Sequence, residues 1–336
     1  MLTATAPAGY DRFALALFSP RHLLDGTVEF SLSVGPAAPA ARQVANTASL
    51  RQIGEAVRAR KAARLAAEVH RLGRPAFRAA ATAQLAYAVG DVRSFVFDEF
   101  QPVPRQVLPT RVVAVSDHAV AFVHTGTDAD GVSLSVDNIR THLDRFDADY
   151  DRIVGAFGTP SDVDGDGRIA FLYTPLVDEL TLGGFQDPAS VLGPAFGGSG
   201  NQTDLLFLSP TQPATSYRSL LVHEIQHLIN FHQHVLVRGG ASEATWLDEG
   251  LSHVAEDLVD GLVPGGNSDN VREFLANPGA VGLTAQDRVN GAERGAAYLF
   301  IRSLVDRFGE PILLRLLQRG LSDRDTVEEG DGPSLP

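Results

Sequence analysis

The segment SLLVHEIQHLINFHQH, residues 219–234, constrains the chain more than any other: its apolar residues ask for a buried helix, yet it carries four histidines and a glutamate. A buried imidazole or carboxylate needs a partner, and nothing within the segment supplies one for all of them. A metal ion would. His223, Glu224 and His227 form H-E-x-x-H, and helical positions i and i+4 lie one turn apart on one face, so both histidines can point at a single cation. Glu224 stands beside the first ligand, placed to take a proton from an attacking water rather than to bind the metal. His232 and His234 fall at the end of the segment, where partly exposed histidine is ordinary.

A catalytic zinc site takes three protein ligands and keeps one position open, the third ligand often being a glutamate further along. The stretch TWLDEGLSHVAEDL, residues 245–258, offers Glu249, Ser252, His253 and Glu256 at i, i+3, i+4 and i+7, one polar stripe on a helix whose other face holds Trp246, Leu251, Val254 and Leu258. Glu249 is the expected third ligand.

Composition narrows the classes. At 336 residues, with 44% hydrophobic and 21% charged residues, the chain has globular composition and material for one large domain plus something smaller. No stretch reaches the roughly 18–20 apolar residues of a membrane span. A net charge of -13 without a basic stripe argues against nucleic acid as partner. The absence of cysteine excludes disulfides, thiolate zinc sites and cysteine nucleophiles. Residues 1–20 lack the basic start and long apolar run of a signal peptide.

Along the chain, residues 1–37 are expected to hold a small β hairpin or the remnant of a β module, and residues 38–89 a helical linker or pro-segment. In the arginine-rich helix over 50–74, Leu50, Ile53, Val57, Leu65, Val69 and Leu72 are placed on one face and Arg58, Arg64 and Arg71 elsewhere; a solvated linker is the plainer reading. Strands are expected in SFVFDEF, TRVVAVSDHAVAFVH, RIAFLYTPL and TDLLFLSP, with a helix capped by Ser135 between the second and third and a glycine-rich loop before the last. Helices follow over 216–234, 244–260, 269–276 and 292–318, and residues 323–336 form an acidic tail expected to be disordered. Sheet first and helices second make an α+β fold.

H-E-x-x-H followed about twenty residues later by a W-L-x-E-G-x-S segment resembles the gluzincin metallopeptidases. More narrowly, HEIQHLINF, TWLDEGLSHVAEDL, PSDVDGDGRIAFLYTP, GNQTDLLFL and AAYLFIRSL look like the hyicolysin family of bacterial neutral zinc metallopeptidases, over roughly 90–320. The resemblance implies a zincin-like fold with a β-sheet N-terminal lobe and a helical C-terminal lobe over 90–322, and further helices after Asp325. It implies protein or peptide substrates and a secreted or cell-surface location. Carried over, it makes His223, His227 and Glu249 the zinc ligands and Glu224 the general base. Thermolysin-like enzymes set an aspartate after the serine of the second motif to orient a zinc histidine. His253 stands there in this chain, and Asp248, Ser252 or Glu256 are candidates for that supporting role. No histidine follows His253, so Tyr298, the only tyrosine after the zinc motifs, is the candidate hydrogen-bond donor to the developing oxyanion.

Residues 162–167, DVDGDG, set Asp162, Asp164 and Asp166 at alternate positions, the start of a calcium loop, although the twelfth position is Tyr173 rather than a bidentate glutamate. Calcium, or a plain acidic turn, are the two readings. Against the zinc endopeptidase stand two rivals: an inert extracellular binding protein on the same fold, against which the intact Glu224 counts, and a zinc aminopeptidase, which needs an acidic group for the substrate amine.

Overall fold

The computed structural model describes residues 50–73, 87–100, 102–125, 134–212, 216–261, 266–284 and 290–318. Chain contacts divide the protein into Met1–Ala48 and Ser49–Pro336. The expected hairpin at 1–37 and the tail at 323–336 lie outside the described residues.

Within the second unit a six-stranded mixed sheet has the order β1-β2-β3-β4-β6-β5. Strands β1 (Val92–Phe97), β2 (Gln106–Val115) and β3 (Ala119–His124) form an antiparallel meander, with a bulge between Val112 and Ala114. Helix α2 (Val136–Phe157) then carries the chain across to β4 (Ile169–Tyr173), parallel to β3, and β6 (Leu205–Leu208) runs parallel to β4. Crossovers of this kind are what parallel neighbours require. The α2 start follows its sequence signal: Ser135 accepts from the Asn138 N–H, and Ile139, Leu143, Phe146 and Ile153 face inward.

Both faces of the sheet are covered, so β4 and β6 are continuous apolar runs. Period-two alternation deals their side chains to two cores. Ile169, Phe171, Tyr173, Leu206 and Leu208 join the helices, while Ala170, Leu172, Leu205 and Phe207 join Phe95, Phe97, Phe122 and Phe185 on the other side. There Phe97 and Phe207 meet edge to face at 5.0 Å, and Phe185 stacks on Phe207 at 5.1 Å.

One strand was not expected. After the short helix α3 (Leu176–Glu179), β5 (Gly184–Gln186) arises inside the glycine-rich loop and pairs antiparallel with β6, forming the edge of the sheet. Gly184 allows the close pairing, since a Cβ there would come within 2.8 Å of Leu208 and 3.0 Å of the Phe207 carbonyl.

The rest is helical: α4 (Tyr217–Phe231) running into a π turn at His232–Val237, α5 (Thr245–Asp260), α6 (Asn267–Ala276), α7 (Gly291–Phe308) and α8 (Pro311–Leu317). The single helix expected over 292–318 is two, because Gly309 takes φ 78° and Pro311 cannot extend the preceding ladder. Residues 221–231 of α4 are all buried, which suits a helix apolar nearly all round. Helix α1 (Leu50–Leu72) is no solvated linker: Leu65, Ala66 and Val69 are in the core, whereas Leu72 is 45% exposed. No helix among the described residues is long and apolar enough to cross a membrane.

Candidate metal centre

Helices α4 and α5 pack side by side, and their polar stripes meet under β5. His223 and His227 bring their Nε2 atoms to 3.1 Å from each other. Glu249 places Oε2 3.5 Å from His223 Nε2 and Oε1 3.6 Å from His227 Nε2. Donors about 2.0–2.1 Å from a tetrahedral ion stand about 3.3–3.4 Å apart, so the two Nε2 atoms and the Glu249 carboxylate, each oxygen near a different histidine, lie close to the spacing such an ion needs. His223, His227 and Glu249 form a group able to hold a metal, as sequence spacing suggested.

The opposite nitrogens are equally well provided. His223 Nδ1 is 2.7 Å from Glu256 Oε1, and His227 Nδ1 is 3.0 Å from Asp248 Oδ2. A proton on each Nδ1 can donate to a carboxylate, so that a cation replacing the Nε2 proton would meet a lone pair facing the cavity. Asp248 is fixed in turn by the Asn230 side-chain amide at 2.6 Å, and Ser252 Oγ sits 2.6 Å from Gln226 and 3.1 Å from His227 Nδ1. Of the three candidates for the supporting role, Asp248 thus serves His227 and Glu256 serves His223.

His253 also borders on Glu256, with Nδ1 2.8 Å from Oε1, while its Nε2 faces the Arg294 guanidinium at 3.0 Å. A guanidinium only donates, so Nε2 accepts and the His253 proton is on Nδ1. His223, His253 and Glu256 form a second group of potential ligands. His223 Nδ1 is hydrogen-bonded to Glu256 Oε1 at 2.7 Å, and His253 Nδ1 lies 2.8 Å from the same oxygen without hydrogen-bond geometry; both separations are shorter than the donor spacing around a tetrahedral ion.

Electrostatics follows the pairing. Burial works against charge on Glu249, but Arg294 at 2.8 Å and the two histidines overcome it and hold its pKa far below the usual carboxylate range. Asp248, also buried, is held down at about 2 by His227 and Arg58. Burial lowers His253 to about 4, so it is neutral near pH 7. His223 goes the other way: burial opposes its charge, yet hydrogen bonds to Glu249 and Glu256 raise it to about 10. The donor set attracts positive charge, which is the chemistry of a cation site.

Glu224 lines the same cavity, of about 270 Å³, and its Oε2 accepts from the Gln186 backbone N–H of β5 at 2.9 Å. Thr181, Leu182, Gly183, Gly184 and Phe185 form the opposite wall. Two cations that the sequence did not flag complete the lining: Arg294 of α7, 4% exposed, and Arg58 of α1, 7% exposed. Arg58 Nη2 lies 2.9 Å from Asp248 Oδ2 and 3.0 Å from Glu249 Oε1. A heptad spacing from Leu65 puts Arg58 on the inward face of α1, a signal available in the sequence.

Tyr298 does not reach the site. It is 5% exposed and absent from the cavity wall, its hydroxyl facing Asp257 and Arg302. It sits on the expected helix, but one turn beyond Arg294. His234 is likewise not at an exposed helix end: it is fully buried on the π turn, with Nε2 3.8 Å from Glu243.

Away from this centre, Asp162, Asp164 and Asp166 converge, with ligand atoms within 4.8 Å of one another, and form a third group able to hold a cation. Arg93 approaches Asp164 at 3.4 Å. Asp204 lies beneath, accepting from Ser161 and from the Val163 N–H at 2.9 Å. Burial, together with neighbouring aspartates, raises Asp166 to about 6 and Asp204 to about 7. Tyr173, at the twelfth loop position, is fully buried in β4 and is no ligand there.

Compared with protein families and with curated proteins, the chain matches none.

Proposed function

We propose that the protein is a zinc-dependent endopeptidase on a zincin-like fold, in keeping with its resemblance to the hyicolysin family. The observation that carries this reading is the convergence of His223 Nε2, His227 Nε2 and the Glu249 carboxylate: the two nitrogens are 3.1 Å apart, and one carboxylate oxygen is 3.5 Å from the first and the other 3.6 Å from the second. Each histidine is oriented by a carboxylate on its far nitrogen, and Glu224 stands beside them. His223, His227 and Glu249 would hold zinc, which would supply the Lewis acidity that polarises a substrate carbonyl and acidifies a water. Glu224 is the general base: the Gln186 N–H occupies its Oε2, leaving Oε1 to accept the proton from the attacking water.

The edge strand supplies the substrate track. An extended peptide paired with the free side of β5 adds a strand to the sheet, main chain to main chain, with its reacting carbonyl turned toward Glu224 and the histidines. Recognition through the backbone suits internal segments of protein substrates. The acidic groups of the cavity wall, Glu224, Glu249 and Glu256, are all engaged by histidine, arginine or the β5 backbone. None of them is left to hold a free substrate amine, which favours an endopeptidase over an aminopeptidase. A secreted or cell-surface location belongs to the same reading.

The test is metal content of the purified chain together with cleavage of unfolded casein, with and without a chelator, in wild type and Glu224→Gln. About one zinc per chain, chelator-sensitive cleavage and a metal-loaded but inactive Gln variant are expected. Equal cleavage by wild type and the variant excludes the peptidase assignment, and zinc without cleavage by either turns the reading toward a binding protein.

A further inference from the structure

Among the described residues, two that are not glycine have positive φ: Gln202 at 48° and Thr181 at 56°. Glycine, asparagine and aspartate take this conformation readily, whereas a β-branched side chain is strained there. Gln202 has a local use, since its side chain lies against Gly193 in the glycine-rich loop. Thr181 has none of that kind. It is exposed, and its hydroxyl meets no hydrogen-bond partner among the described residues.

The turn itself asks for a different residue. After α3 the Leu182 N–H donates to the Val177 carbonyl at 3.4 Å and the Thr181 N–H to the Asp178 carbonyl at 2.9 Å, the two bonds of a Schellman motif with Thr181 in its left-handed position. Glycine is the usual occupant. Helices α1, α2, α5 and α7 are each followed by one of positive φ, Gly73, Gly158, Gly261 and Gly309. Threonine at 181 therefore weakens the turn it occupies, and what it contributes lies outside that turn.

Outside the turn is the cavity of the candidate metal centre, which Thr181 lines. One wall of that cavity runs from Thr181 into β5, and another follows α4. Two contacts fix how they face each other: a Cβ on Gly183 would lie 3.3 Å from the Leu220 side chain, and the Gln186 N–H donates to Glu224. The two walls thus advance together. Thr181 belongs opposite the start of α4, where Ser216 and Ser219 line the cavity, about one to two helical turns before Glu224. Gln212 closes the same end, its side chain also 3.3 Å from a Cβ on Gly183. Hydroxyl, amide and apolar groups line this end, and the charged residues of the wall stand at the other.

We infer that Thr181 is a specificity-determining residue: with Gln212, Ser216, Ser219 and Leu220 it forms an uncharged subsite for a neutral substrate side chain, about two or three residues from the reacting carbonyl of a peptide extended along β5. This rests on the peptidase reading of the metal centre. A charged side chain entering the subsite gives up water and meets no opposite charge on this part of the wall. The strained backbone sets the threonine at the cavity mouth, where its methyl and hydroxyl meet the substrate instead of the protein.

The experiment is cleavage of a library of peptides blocked at both ends, every cut site read by mass spectrometry, by the full chain as wild type, Thr181→Gly and Thr181→Asp, with urea unfolding of the same three proteins. Glycine and aspartate both tolerate the left-handed conformation, so both variants keep the turn. Wild type is expected to disfavour charged side chains at one position near the cut, and Thr181→Asp to turn that position toward lysine and arginine by about tenfold. Thr181→Gly is expected to flatten the preference and raise KM about tenfold on the best wild-type peptide, with kcat within about twofold and a urea midpoint no lower than that of wild type. Cut-site preferences identical in all three proteins overturn the subsite while leaving the peptidase standing. A urea midpoint lowered in Thr181→Gly, with preferences unchanged, likewise overturns it and assigns Thr181 to the turn. No peptide cut by wild type removes the peptidase reading, and the subsite with it.

Discussion

Two groups of buried carboxylates in this protein have their pKa values shifted in opposite directions. Around Glu249 the acids are held down by partners of opposite charge, Asp248 at about 2. In and beneath the Asp162–Asp166 loop they are pushed up, Asp166 to about 6 and Asp204 to about 7, by burial and by one another. Desolvation acts alike in both places, so what separates them is what faces each acid: histidines and arginines in the first, chiefly other aspartates in the second. A carboxylate whose charge is compensated can be ionised, oriented and used. One that lacks compensation weakens the fold whenever it ionises.

That contrast is broken most severely at Glu224. Its replacement by Gln is expected to lower peptide hydrolysis by at least about 10³-fold with zinc stoichiometry unchanged, measured by casein cleavage and metal analysis on one preparation. Glu249→Ala is expected to weaken zinc binding by more than about 100-fold, since it removes a donor and leaves Arg294 facing an empty pocket; retention of tight zinc binding contradicts Glu249 as a metal donor. Asp248→Asn and Glu256→Gln remove the acids behind His227 and His223, and each should cost about 10–100-fold in zinc affinity.

The loop cluster sharpens the comparison in the other direction. Asp204 has a folded pKa of about 7, above its ordinary value of 3.8, so its contribution to stability is whole below about pH 4 and is lost as the pH rises through 7. Asp204→Asn, a mimic of the neutral acid, should stabilise the protein by about 2 kcal/mol at pH 8 and change little at pH 4, by urea unfolding without added cations. A variant equally stable with wild type at pH 8 shows that the loop charges are compensated after all. The smallest effect is expected at Tyr298→Phe, whose catalytic efficiency should stay within about threefold of wild type, because its hydroxyl faces Asp257 rather than the cavity.

What the sequence revealed follows the range of the signals. His223 and His227 share a helix face by period alone, Glu249 lies in an adjacent helix with its own polar stripe, and Ser135 announces the start of α2. Strand β5 was hidden because three residues beginning with glycine carry no β pattern; its pairing with β6 makes it a strand. Arg294 and Arg58 were hidden for another reason. Their partners lie tens to nearly two hundred residues away in sequence, and a cation on an inward helix face looks misplaced until two carboxylates are brought to it. The helical period still placed Arg58 beside Leu65. The error was to let its charge decide which way it faced.

Lys61 is the only lysine of the chain, and it is buried near the middle of a docked helix. The Lys61–Ala62 peptide bond is therefore the sole internal target for a lysine-specific protease, and cutting it requires α1 to lift off and unwind locally. Digestion is then a count of a single event: one intact band giving two fragments, at a rate set by how often the helix opens.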